Sequence, residues 1–192
     1  MANAPHSAAL PDLLAGCLRN HRQSQELLYR QFYGFAMSVC LRYAPTRDSA
    51  LEVLNDGFLK VFTRLDQYDP AQPFTGWLRR IMINTAIDQY RQDVRHVQSN
   101  DIEQADQLSV APEPDAYTQL AHDELLALVQ RLSPAYRLVF NLYVVDGYTH
   151  DEIAQKLSIS AGASKSNLAR AREKLRTLLK HHHPDEYARV TR

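Results

Sequence analysis

The 192-residue sequence has only two cysteines, six glycines and no charge excess of either sign. Cys17 and Cys40 lack the close spacing of metal sites and redox pairs, so both read as small reduced core residues. Period-two alternation does not persist anywhere, and few glycine-rich turns separate the apolar runs, which argues against a chain of strands and hairpins. No apolar run of about 18 residues is present to span a bilayer. The N-terminal stretch MANAPHSAALPDLLAGCLRN has neither the basic start nor the sustained apolar core of a signal peptide, so the expected location is the cytoplasm. Glycine-rich phosphate loops, HExxH and nucleophile elbows are also missing, and the chain is not expected to be an enzyme or to need a cofactor or a small-molecule substrate. Lys plus Arg and Asp plus Glu number 22 each, so a surface for nucleic acid would have to be local.

What is present is helical spacing over a chain that is 45% hydrophobic, enough for real cores. After a short helix near Leu10 to His21, apolar positions from Leu28 through Phe32, Phe35, Val39 and Tyr43 repeat every three or four residues until Pro45 stops them. A second pattern starts near Arg47, with Leu51, Leu54, Phe58, Val61, Phe62 and Leu65 on one face and Glu52, Asn55, Asp56 and Lys60 outside. The prolines of DQYDPAQP enforce a loop. A third pattern runs from Phe74 to about Arg95, its apolar side made by Phe74, Trp77, Leu78 and Ile81. Arg80, Asn84, Asp88 and Arg91 recur on its polar side.

Between Arg95 and Arg131 there is no lysine or arginine, while Asp101, Glu103, Asp106, Glu113 and Asp115 gather beside Pro112 and Pro114. This composition marks a flexible acidic linker. The expected architecture is all-α: a helical domain over 8–95, the linker over 96–116, a second helical domain over 117–182 and a tail over 183–192. The tail's first residues continue HHHPDE, whose adjacent histidines at a helix end do not face one way, and no metal site is expected.

In the second half, Ser133 and Pro134 form an N-cap and first-turn pair opening a helix through Leu138 and Leu142 to Asp146, with Gly147 as its C-cap. Thr149 and Glu152 have the spacing of a capping box, so a short helix carrying Ile153, Ala154 and Leu157 starts there. Only Ser158 to Ser160 separate it from the next helix, the layout of a helix-turn-helix. From Lys165 to Lys180 that last helix carries six basic residues against one acid, with Leu168, Ala171, Leu175, Leu178 and Leu179 as its buried stripe. Ser160 caps it. Ala161, Gly162 and Ala163 leave room to approach a phosphate, and Lys165, Ser166, Asn167, Arg170 and Lys174 occupy the surface.

Both halves resemble the bacterial RNA polymerase sigma factors, specifically the small two-domain extracytoplasmic-function (ECF) group. DSALEVLNDGFLKVFTRLDQYDPAQPFTGWLRRIMINTAIDQYRQ is similar to the second conserved region of that family, and LSPAYRLVFNLYVVDGYTHDEIAQKLSISAGASKSNLARAREKLR to the fourth. The resemblance implies a transcription initiation factor that binds core RNA polymerase and directs it to promoters. Its first block would bind a coiled coil of the polymerase largest subunit through the surface around Glu52, Asn55, Asp56 and Lys60. Promoter melting at the minus-ten element would fall to Arg80, Asn84, Asp88 and Arg91, with Tyr68 stacking on a base flipped from the non-template strand. Minus-thirty-five duplex would meet Ser160, Gly162, Ala163, Ser164, Lys165, Ser166, Asn167, Arg170 and Lys174. Many members carry valine where Ala163 and Ser164 stand and arginine where Asn167 stands, a departure that bears on which promoter is read. An anti-sigma partner, often membrane-bound, is also implied. The alternative is a stand-alone helix-turn-helix regulator, distinguished by whether the first half binds polymerase.

Overall fold

The computed structural model describes residues 9–99 and 117–182, and side chains over 9–95 and 124–181. Residues 100–116 of the expected linker and the tail over 183–192, including most of HHHPDE, lie outside the described residues. Among the described residues every regular element is helical: α1 (Leu10–Leu18), α2 (Arg22–Tyr43), α3 (Arg47–Thr63), α4 (Phe74–Ser99), α5 (Tyr117–Gln130), α6 (Pro134–Phe140), α7 (His150–Leu157) and α8 (Ala161–His182). A single 3-10 turn, Leu65–Gln67, follows α3, and a π-helical turn, Asn141–Val145, extends α6.

Helices α2, α3 and α4 form the first layer because each has an apolar stripe that the other two cover for most of its length. Leu28, Ala36, Val39 and Cys40 of α2 meet Ala50, Leu54, Phe58 and Val61 of α3 and Leu78, Met82 and Ile83 of α4, all at most 2% exposed. Full burial of one such leucine is worth about 2 kcal/mol. Pro45 ends α2 by forcing Ala44 into extended backbone, and the Thr46 hydroxyl caps α3 by accepting from the Ser49 amide at 3.2 Å. At Gly57 α3 lies so close to α4 that a Cβ there would overlap the Met82 thioether. Burial pushes the Cys40 thiol up to about 12, which keeps it protonated in the core, and Cys17 is buried and free as well.

Five positions in the first half depart from the expected apolar faces. Leu51 is 39% exposed, and Phe35, Phe62, Trp77 and Ile81 are half-buried at the rim, because the apolar stripes are wider than the arc of each helix that the bundle covers. Trp77 instead packs on Tyr68 and Phe74, ring centroids 5.4 and 5.7 Å away. Helix α4 also continues to Ser99, four residues into the segment expected to be linker.

In the second half, Leu138, Val139 and Leu142 of α6 and its extension pack with Ile153 and Leu157 of α7 and Leu168 of α8. Leu175, Leu178 and Leu179 are only half-buried, since the 22-residue α8 outruns the eight-residue α7. The two halves share one continuous apolar cluster, with α2 touching both α5 and α6 and α4 touching α7.

Candidate nucleic-acid interface

The helix-turn-helix is built by local hydrogen bonds. Thr149 and Glu152 make a capping box: the Glu152 carboxylate accepts from the Thr149 amide and hydroxyl at 2.8 Å each, and the Thr149 hydroxyl accepts from the Glu152 amide at 3.3 Å. These bonds to Thr149 hold the Glu152 carboxyl below its ordinary 4.5. A depressed folded-state value means that its contribution is present above about 4.5 and is lost as pH falls through the folded value. Thr149→Ala is expected to cost about 1 kcal/mol of stability near neutral pH, measured by chemical denaturation.

After α7 the chain turns sharply at Ser158, whose φ of 56° is left-handed, and the Ile159 amide donates to the Ala154 carbonyl at 3.1 Å. The Ser160 hydroxyl then caps α8 by accepting from the Ala163 amide at 3.0 Å. Gly162, Lys165, Ser166, Arg170 and Lys174 are exposed, while Ala163 and Asn167 are half-buried at the edge of the same face. Ser164 is the exception. It is 0% exposed and its hydroxyl pairs with His150 Nδ1 at 2.9 Å, so it faces α7 and is not available to a base edge. The His150 ring stacks on Tyr143 at 4.5 Å, with the Arg172 guanidinium 5.9 Å from the Tyr143 centroid. Nothing in the sequence pattern marks His150 and Tyr143 as parts of this junction.

On α4, Arg80, Asn84 and Asp88 are exposed and Arg91 is half-buried, so the expected polar stripe exists as a surface. Asp88 joins it to α3: its carboxylate takes Lys60 at 2.9 Å and Arg91 at 3.8 Å. Asn84 accepts from Lys156 Nζ at 3.2 Å, and Arg91 donates to the Lys156 carbonyl, both across the boundary between the two halves. Tyr68 donates to the Gln72 carbonyl at 2.6 Å and sets its ring edge-on to Phe74 at 5.3 Å. Its ring is therefore half-buried in the aromatic cluster and only partly free to stack on a base.

On α3, Glu52, Asn55 and Asp56 are exposed and Lys60 is half-buried. Tyr29 donates to Asn55 at 3.3 Å and Gln89 to Glu52 at 3.2 Å, which restrains this face without covering it. Leu59, 63% exposed, and Leu51 flank Asn55 one turn on either side. Their four-residue spacing off the buried stripe is the signal that would have marked them.

A basic helix presented by a capped helix-turn-helix, beside a polar helical stripe in the other half, defines a DNA-binding protein of two helical parts. A family model described as Sigma-70 region 2 matches residues 28–96, and one described as Sigma-70, region 4 matches residues 122–175. RNA polymerase sigma factor NccH of Alcaligenes xylosoxydans xylosoxydans is 33% identical over 155 residues, covering 78% of this chain and 83% of that one. The ECF RNA polymerase sigma-E factor of Escherichia coli K12 is 27% identical over 167 residues, 81% and 86% of the two chains. In fold, the chain is similar to the sigma factor RpoE of Bartonella quintana, solved in complex with the anti-sigma factor NepR: TM-score 0.53 and 23% identity over 82% of this chain and 98% of that one. The chain belongs to the ECF-type RNA polymerase sigma factors, and it directs transcription initiation. The match over residues 28–96 speaks against a stand-alone helix-turn-helix regulator.

Proposed function

We propose a division of labour among three surfaces. The exposed face of α3, Glu52, Asn55 and Asp56 with Lys60 at its edge, holds core RNA polymerase, and the exposed leucines Leu51 and Leu59 add apolar area to that contact. The α4 stripe of Arg80, Asn84, Asp88 and Arg91 takes the minus-ten element, its arginines on phosphates and Asn84 on a base edge, with Tyr68 at the adjoining loop. The exposed side of α8 reads the minus-thirty-five duplex through Gly162, Ala163, Lys165, Ser166, Asn167, Arg170 and Lys174, with Ser160 capping the helix.

The observation that carries this reading is the separation of the polar α4 stripe and the basic α8 face onto two parts of one chain, so that each can take its own promoter element. Sigma factors are initiation factors, and the chemistry of RNA synthesis belongs to polymerase. No described helix is long and apolar enough to cross a membrane, which suits the cytoplasm, where polymerase and promoter are found. The Bartonella relative was solved with an anti-sigma factor, and we extend such a partner to this chain. The acidic stretch over 100–116, which follows the end of α4 at Ser99, is assigned as the linker between the parts. Asn84→Ala is expected to slow promoter opening several-fold in a fluorescent bubble assay with core polymerase. Normal melting by that variant rejects the role given to Asn84.

A further inference from the structure

Ser164 stands where the buried stripe of α8 calls for an apolar residue. It lies one turn before Leu168 and two before Ala171, and like Ala171 it is 0% exposed. A hydroxyl withdrawn from water costs stability unless it finds a partner, and α7, which packs on this side of α8, supplies one. The partner is Nδ1 of His150, the first residue of α7, at 2.9 Å. This side-chain bond joins the bodies of the two helices, apart from the capping and backbone bonds that form the turn between them.

The imidazole is itself held in place. It stacks on Tyr143 of the π-helical turn, ring centroids 4.5 Å apart and planes 21° apart. Arg172 of α8 brings its guanidinium carbon to 5.9 Å from the centroid of the same Tyr143 ring. Ser164, His150, Tyr143 and Arg172 therefore form a brace that leaves α8, crosses α7 and the π-helical turn, and returns to α8. Its two ends on α8 are eight residues apart, about two turns. The apolar contacts of Leu168 with Ile153 and Leu157 hold α8 on the domain without fixing its rotation, because hydrophobic attraction is non-directional. A hydrogen bond is directional, and the brace supplies that missing constraint.

We propose that His150 is a positioning residue for promoter recognition: through Ser164 it fixes the rotation of α8 about its axis, and with it the aim of Asn167 at the base edges. The proposal rests on the assignment of α8 to duplex DNA. Asn167 follows Ser164 by three residues, about 60° away around the helix, so whatever turns Ser164 turns Asn167. A rotation of ~20° carries a side-chain tip ~6 Å from the axis through ~2 Å. That is several times the ~0.5 Å range over which a hydrogen bond holds. The long cationic side chains of Lys165, Arg170 and Lys174 tolerate the same displacement, since attraction to a phosphate falls slowly with distance. Loss of the brace thus lowers discrimination between sequences and leaves the salt-dependent affinity in place.

Three variants of the full chain, each assembled with core polymerase, test this. His150→Phe keeps a ring against Tyr143 and removes the bond. His150→Phe with Ser164→Ala removes both polar groups, and His150→Asn places an amide where Nδ1 stands. The parent holoenzyme first enriches an upstream element from a pool of randomised duplexes. Anisotropy then gives the affinity of each form for the enriched duplex and for a scrambled duplex of the same composition, and thermal unfolding is followed on each free chain. His150→Phe is expected to melt several degrees below the parent, because Ser164 is left buried without a partner, and the double variant to melt like the parent. Both phenylalanine forms are expected to discriminate between the duplexes roughly 10-fold less than the parent, with unchanged affinity for the scrambled one. His150→Asn is expected to keep the parent's discrimination. A double variant that recovers both the melting point and the discrimination overturns the proposal, because the bond then does no more than satisfy Ser164. The double variant also keeps the comparison decisive where His150→Phe alone does not fold. A parent holoenzyme that enriches no upstream element overturns the duplex reading of α8 and the role of His150 with it. Enrichment by the parent with equal discrimination in all three variants overturns the role of His150 alone.

Discussion

Replacing Lys165, Arg170 and Lys174 together with alanine is expected to lower the slope of log affinity against log salt for promoter duplex by about three units. Each lost phosphate contact releases roughly one counterion fewer, and at ~0.15 M salt the three together correspond to roughly 100-fold weaker binding. At about 100° per residue, Lys165 and Lys174 fall on opposite flanks of the exposed half of α8, with Ser166 and Arg170 between them. A duplex lying against this face would touch all three cations at once. All three are exposed, so the thermal unfolding curve is expected to stay where it is. Filter binding or anisotropy across a salt series measures the slope. An unchanged slope would place the DNA on another surface.

Ile153→Asp is expected to abolish duplex binding by a different route. Ile153 is 0% exposed on α7 and belongs to the core that it shares with Leu157 and Leu168. A carboxylate there has no partner and must either stay charged in an apolar site or take up a proton, at a cost above about 4 kcal/mol. That is a large fraction of the stability of a small domain, so the helix-turn-helix loses its fixed geometry. Ile153→Val, which removes one methylene, costs about 1 kcal/mol and serves as the reference. Circular dichroism melting of both variants checks the ranking. An Ile153→Asp variant that melts like the parent would show that this position is not interior.

The local parts of this molecule are legible in the sequence because they depend on near neighbours. Thr149 and Glu152 are three residues apart, and their reciprocal bonds form as the spacing requires. Pro45 ends α2 and Gly147 turns the chain through steric rules that act within one or two residues. Ser164 reads as part of the DNA face because serine is polar and sits among polar neighbours. Its helical angle gives the better answer: with Leu168 and Ala171 at the fourth and seventh positions after it, it continues the buried stripe, and His150 satisfies its hydroxyl. The position of Tyr68 is also legible, but not its commitment to Phe74 and Gln72.

The seam between the halves is not legible. Asp146 meets Arg79 and Tyr43 across 67 and 103 residues, and no periodicity links positions so far apart. Arg137, 2% exposed, shows the same limit. Arginines are seldom fully buried, yet this guanidinium is interior and donates to the Gln130 carbonyl at 3.1 Å, and burial lowers it to about 10. Buried polar groups are specified by partners brought from elsewhere, which a single-sequence pattern does not record. The exposed Leu51 and Leu59 flanking Asn55 are the converse case, apolar residues left outside because no second element among the described residues covers them.

The central claim is that this chain brings RNA polymerase to promoters. Run-off transcription with purified core polymerase on genomic fragments, followed by mapping of the start sites, tests it most directly. Discrete transcripts that require the added chain, with a shared sequence element upstream of their starts, are the predicted result. Core polymerase that yields the same products with and without the chain would contradict it.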